Sequence, residues 1–153
     1  MADNNGVNYD QTQQVKLKKV NPGEKNGAVK VMQEEFTFAA ELGIGDTILG
    51  LSLPKGAKIL SAKMVAPAGF TAGSFELGNK ASTDKDGVAI SEDSNGLISA
   101  VNMSAAAQGS MDAASPLWLK KLGSEMQIFA TATVATTAAI GLSLLFRVEY
   151  VVD

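Results

Sequence analysis

Glu34 and Glu35 stand side by side, and Asp84 and Asp86 flank Lys85 just ahead of Gly87. Paired carboxylates are the raw material of acid–base catalysis, and closely spaced aspartates followed by glycine open a calcium loop. Neither set survives its own spacing. The stretch Val29 to Ala40 has strand composition, and neighbouring strand residues point to opposite faces. Glu34 and Glu35 therefore share a substrate only across a β-bulge, which the break they make in the alternation leaves open; the pair is read as structural. A twelve-residue calcium loop opening at Asp84 ends on a bidentate Glu, whereas its last position here is Asn95. Asp84, Asp86 and Gly87 read as turn formers, and no metal site is expected.

Other chemistries lack their parts. The chain has no cysteine and no histidine, which excludes disulfides, Cys/His zinc sites, cysteine nucleophiles and histidine-dependent triads. No glycine-rich phosphate loop with its lysine is present, and no serine sits in a nucleophile-elbow setting. The 16 acidic residues are scattered over turns and ends, and nothing selects a pair among them. The expectation is a protein that is not an enzyme and holds no cofactor.

The residues left to carry function are contact residues. Lys16, Lys18 and Lys19, with Lys25 and Lys30, make the N-terminal end locally basic in a chain of net charge −3. No aromatic platform accompanies them, so nucleic-acid binding is not expected. They belong either to a solvated segment or to an arm that docks on an acidic or extended partner surface. Trp118 is the single tryptophan; it is either a core or rim packing residue or an interface anchor, since tryptophan contributes strongly at contacts. Phe129 falls on the wetter side of its segment with Thr131 and Thr133, facing solvent or a sister subunit. Only 19% of the residues are charged, which suits a surface packed against neighbours.

These residues are positioned by strands. Residues 1–27 read as an extended arm, with a short strand signal at 15–20 and turn signals at Asn21-Pro22-Gly23 and Lys25-Asn26-Gly27. Residues 28–153 form one domain, long enough to bury a core. Strands are expected near 29–40, 47–53, 58–66, 74–77, 88–90 and 97–101, separated by glycine, proline and polar turns such as Pro54-Lys55-Gly56 and Glu92 to Gly96. The Ala/Ser/Gly-rich segment 102–115 is expected to be a loop or short helix and to meet neighbouring subunits. Short strands at this spacing predict an all-β, antiparallel, jelly-roll-like sandwich.

Met126 to Phe146 is long enough to cross a bilayer and carries no charge, but holds four threonines, a serine, a glutamine and a glycine. Gln127, Phe129, Thr131 and Thr133 alternate with Ile128, Ala130, Ala132 and Val134. After a small-residue turn at 135–139, Ile140, Leu142, Leu144, Phe146, Val148, Tyr150 and Val152 share one parity. Period-2 order predicts two strands, read as an antiparallel ribbon, and not a membrane span. The first residues show neither a basic nor an apolar leader region, so no signal peptide is expected, and the protein is expected to stay outside the secretory route unless something else exports it.

The histidine- and cysteine-free chain has a polar tail, Lys30-Val31-Met32, Leu53-Pro54-Lys55-Gly56-Ala57-Lys58-Ile59-Leu60, Phe75-Glu76-Leu77-Gly78, Asp86-Gly87 and the ending Val148-Glu149-Tyr150-Val151-Val152-Asp153. Over residues 28–153 this pattern resembles small virion structural proteins of tailed bacteriophages, of the capsid decoration, cement or head-fibre type. The resemblance implies a jelly-roll-like domain that oligomerises, often as a trimer, and binds the major capsid protein on the capsid surface of the virion. The alternative it leaves open is a head-fibre, neck or tail component, or a host-surface binding module. It supplies no catalytic residues.

Overall fold

The computed structural model describes residues 28–66, 71–104, 107–112 and 114–152. The expected arm 1–27, with Lys16, Lys18 and Lys19, lies outside them. The strands are β1 (Lys30–Thr37), β2 (Thr47–Leu53), β3 (Ala57–Ala66), β4 (Ala72–Asn79), β5 (Ser82–Thr83), β6 (Ala89–Ile90), β7 (Asp93–Asn102), β8 (Ala107–Ser110), β9 (Met126–Thr137) and β10 (Ser143–Val152). One sheet has the order β1-β10-β3-β8 and the other β2-β9-β4-β7, while β5 and β6 pair with each other. All pairings are antiparallel. Counting only the eight main strands, the first, third, sixth and eighth make one sheet and the others its mate. This is the double Greek key of a jelly roll. Every connection between main strands changes sheet except that from β4 to β7.

The core lies between the sheets and follows the period-2 pattern of the sequence. Leu144, Phe146, Val148 and Tyr150 of β10 are buried, as are Met126, Ile128, Ala130 and Ala132 of β9 and Phe75 and Leu77 of β4. β3 changes parity midway: Ala57 and Ile59 are buried, then Ala62, Met64 and Ala66. Its register against β10 explains the switch. Tyr150 pairs with Ile59 and Glu149 with Ser61, which leaves Leu60 as an extra residue in a bulge. Aromatic rings link the layers, with Phe36 and Phe38 edge to face at 5.1 Å and Phe38 and Phe75 tilted at 6.0 Å. At Gly109 of β8 a Cβ would stand 2.5 Å from Val101 Cγ2 and 3.1 Å from Ile98 Cγ2, so glycine permits the close approach to β7.

Several expectations are corrected. The uncharged stretch does form two strands, but they are not a ribbon: β9 pairs with β2 and β4, β10 with β1 and β3. Strand β9 also runs through the expected turn to Thr137, and its turn is 138–142. Register shifts against β4 near Ser74 accommodate this and leave Val134 exposed. Glu34 and Glu35 sit in unbroken register with Phe146 and Leu145, so no bulge brings them together. The segment 102–115 contributes β8 rather than a helix. Strand β7 begins at Asp93, inside the expected polar turn. Among the described residues no helix is long and apolar enough to cross a membrane.

Candidate interaction surface

Strand β8 pairs with β3 only from Lys63 to Ala66, and Met111 N–H donates to Ala62 O as the chain leaves that edge. The connection returns at Trp118, which bridges to Ile59, and Leu119 N–H donates to Ile59 O at 2.9 Å. Between departure and return no backbone pairing among the described residues covers the edge of β3 at its bulge. The gap is a groove of ≈ 250 Å³ lined by Leu60, Ser61, Ala62, Lys63, Ser110, Met111, Asp112 and Trp118. Trp118 is 56% exposed at its rim.

The loop holding Trp118 is fixed by its own chain. Buried Leu117 and Leu122 pin it to the core. Leu122 N–H donates to Ala57 O and Gly56 N–H to Leu122 O. The Asp112 carboxylate accepts the N–H and hydroxyl of Ser99, and Ser115 Oγ donates to Gly96 O. Leu119 adopts φ 57°, the left-handed region that a branched side chain seldom occupies. Such a conformation persists where surrounding bonds dictate it, and here the Leu119–Ile59 hydrogen bond is one of them.

The same end of the sandwich gathers lysines from three connections and from the start of β3. Lys85 N–H donates to Lys121 O, Gly123 N–H donates to Thr83 O, and Lys58 bridges to Lys121. Lys55, Lys85 and Lys121 line one cleft with Thr83, Asp84 and Gly87; Lys58, Lys120 and Leu119 line an adjoining one with Asp84 and Asp86. Five lysines face two aspartates, so this end is basic although the chain is acidic. Asp84 is occupied as a turn former, its Oδ1 accepting N–H bonds from Asp86 at 2.9 Å and Val88 at 3.0 Å. Lys85 Nζ lies 2.7 Å from Asp86 Oδ1, and this hydrogen-bonded partner raises its pKa above the usual lysine value. Lys120 lies 4.0 Å from Asp84.

The opposite end has another character. In the β1–β2 and β9–β10 connections, Ile44 is 75% and Ile140 64% exposed, and the charged residues of 38–46 and 138–142 are Glu41 and Asp46 alone. Glu41 ties the two connections together, accepting from Thr136 Oγ1 at 2.6 Å and from Ala139 N–H at 2.9 Å. The Thr136 hydroxyl bond, the largest influence, together with the backbone N–H groups outweighs desolvation and holds its pKa below the usual value.

Of the sequence-derived contact residues, Trp118 and Phe129 are among the described ones, and they lie on different parts of the fold. Trp118 stands on the basic end. Phe129 lies on β9 and is only 3% exposed, with Lys80 Nζ 4.4 Å from its ring centroid. The hydroxyls of Thr131 and Thr133, also on β9, are buried without a hydrogen-bond partner. The lysines at 55, 58, 85, 120 and 121 had no signature in the sequence beyond the Lys120-Lys121 pair, since only the fold assembles them.

No protein-family model matches the sequence, and no curated protein matches it. Solved structures do match. A chain from the capsid of Ralstonia phage GP4 superposes with a TM-score of 0.68 at 17% identity, over 92% of this chain and 94% of that one. A chain from the capsid asymmetric unit of cyanophage Pam1 superposes with a TM-score of 0.61, also at 17% identity, over 92% and 96%. The likeness is one of fold, and it runs through nearly the whole of each chain.

Proposed function

We propose that this protein is a structural component of a phage virion, a decoration or cement protein that binds the major capsid protein and stabilises the shell. The observation that carries this reading is the whole-chain match in fold to two chains of phage capsids. The jelly roll supports it physically: a rigid sandwich with fixed loops loses little freedom on docking. A shell that offers many equivalent sites to an oligomer, a trimer in our reading, holds each copy by high effective concentration. Residues 1–27 act in this reading as an arm that reaches across the neighbouring subunit.

The test uses heads produced without this protein. Purified full-length chain mixed with them should co-sediment at a fixed stoichiometry and raise the temperature at which the heads release DNA. Heads that neither retain the protein nor gain stability would contradict the proposal. Light scattering of the free protein gives the oligomeric state; a strict monomer would remove the trimer from the account.

A further inference from the structure

We propose that the lysine-bearing end of the sandwich and the adjoining Trp118 groove form one docking face, whose occupant is an acidic protein surface that inserts an apolar side chain into the groove. The inference rests on the reading of the chain as a shell-bound protein and specifies which face meets the shell.

Charge is the first argument. The molecule carries net charge −3, yet Lys55, Lys58, Lys85, Lys120 and Lys121 converge on two clefts against Asp84 and Asp86. Concentrated positive charge on an acidic body selects a negative partner and orients its approach. The Lys85–Asp86 pair joins side chains that are 60% and 64% exposed, whereas Lys120, 37% exposed, stands 4.0 Å from an Asp84 that is 15% exposed. An exposed pair such as Lys85–Asp86 contributes little, so Lys85 can exchange partners readily.

Apolar surface is the second argument. Trp118 and Leu119 are 56% and 46% exposed on a loop held by backbone hydrogen bonds to β3. An aromatic anchor held in place before binding contributes more than one that must be ordered on contact. The groove beside it is floored by the β3 bulge at Leu60, and Met111 adds an adaptable wall. A nucleic acid fits this face less well, because Asp84 and Asp86 stand among the lysines and Trp118 is the only tryptophan available for stacking.

Two arms test the proposal, and the fold of each variant is checked by thermal melting. In the first, the wild-type chain, K55E/K121E, its milder form K55Q/K121Q, W118A and the opposite-end control I44S/I140S are bound to heads lacking the protein, from about 50 to about 500 mM salt. We expect K55E/K121E and W118A each to weaken binding by about tenfold or more. The salt dependence should flatten in the charge variants, and the control should bind like wild type. Equal binding by all lysine variants and W118A, or loss of binding in the control alone, overturns the assignment.

The second arm is independent of the virion reading and uses the single tryptophan as a probe. A glutamate-rich peptide carrying one leucine should shift Trp118 emission at low salt, with the shift suppressed in K55E/K121E. No shift overturns the docking face, and a shift with a single-stranded oligonucleotide but not with the peptide overturns the acidic-protein assignment. Failure of wild-type chain to bind heads, alongside a positive peptide arm, contradicts only the virion reading.

Discussion

A Cβ on Gly123 would stand 1.9 Å from the backbone carbonyl oxygen of Asp84. The two residues lock the connection before β9 against the β5–β6 turn, with Gly123 N–H donating to Thr83 O at 2.8 Å. Backbone cannot yield as a flexible side chain would, so G123A forces the connection that carries Trp118 away from the β5–β6 turn. We expect a loss of about 1–3 kcal/mol and a red shift of Trp118 emission, both read in one urea titration followed by fluorescence. An unchanged midpoint would show that the loop is not held as described.

The parity of β10 sets a second prediction. Leu144 and Phe146 are fully buried, whereas Ile140 on the same sequence parity is 64% exposed in the turn. L144A and F146A should each destabilise by about 2–5 kcal/mol, and I140A should fall within about 0.5 kcal/mol of wild type. Equal effects of all three in chemical denaturation would contradict the placement of the strand.

Glu41 supplies a pH prediction. The fold lowers its pKa, chiefly through the Thr136 hydroxyl, so the native state binds its proton less readily than the unfolded chain does. Its stabilising contribution is therefore present above the ordinary carboxylate pKa and is lost as pH falls through the lower folded value. E41Q should melt below wild type at neutral pH, and the gap should close below about pH 4. A gap that stays constant to low pH would assign the effect to packing rather than to charge.

Lys80 covers Phe129 and pairs with Glu92 at 2.8 Å. K80A should uncover the ring, giving stronger binding of a hydrophobic dye and a stability loss of about 0.5–1 kcal/mol. Dye binding equal to wild type would mean that other groups cover Phe129.

The strands with regular alternation were legible from residues alone. Thr47 to Leu53 matches β2, Lys58 to Ala66 nearly matches β3, and Leu144 to Tyr150 carries the apolar face of β10. Strand β8 was not legible, because Ala-Gln-Gly-Ser has no large apolar residue and is held by the edge of β3 and the Gly109 contact. The pairing of β9 and β10 is not legible in the sequence, since adjacency favours a hairpin whereas this jelly roll sends the two strands to opposite sheets. The alternation of β9 places Phe129 on the wetter face, yet it is buried there with Lys80 over its ring, a neighbour far away in sequence whose position no periodicity encodes. The basic end was illegible for the same reason, because its lysines come from three connections and the start of β3, which only the double Greek key brings together.

The central claim is that this chain is a structural virion protein attached to the shell, and a high-resolution reconstruction of the intact particle tests it most directly. The account predicts shell-bound density into which the β1-β10-β3-β8 and β2-β9-β4-β7 sandwich fits, with the end bearing Trp118 and Lys121 turned toward the capsid subunits. Absence of the chain from particles that otherwise contain a full complement of head proteins would contradict it.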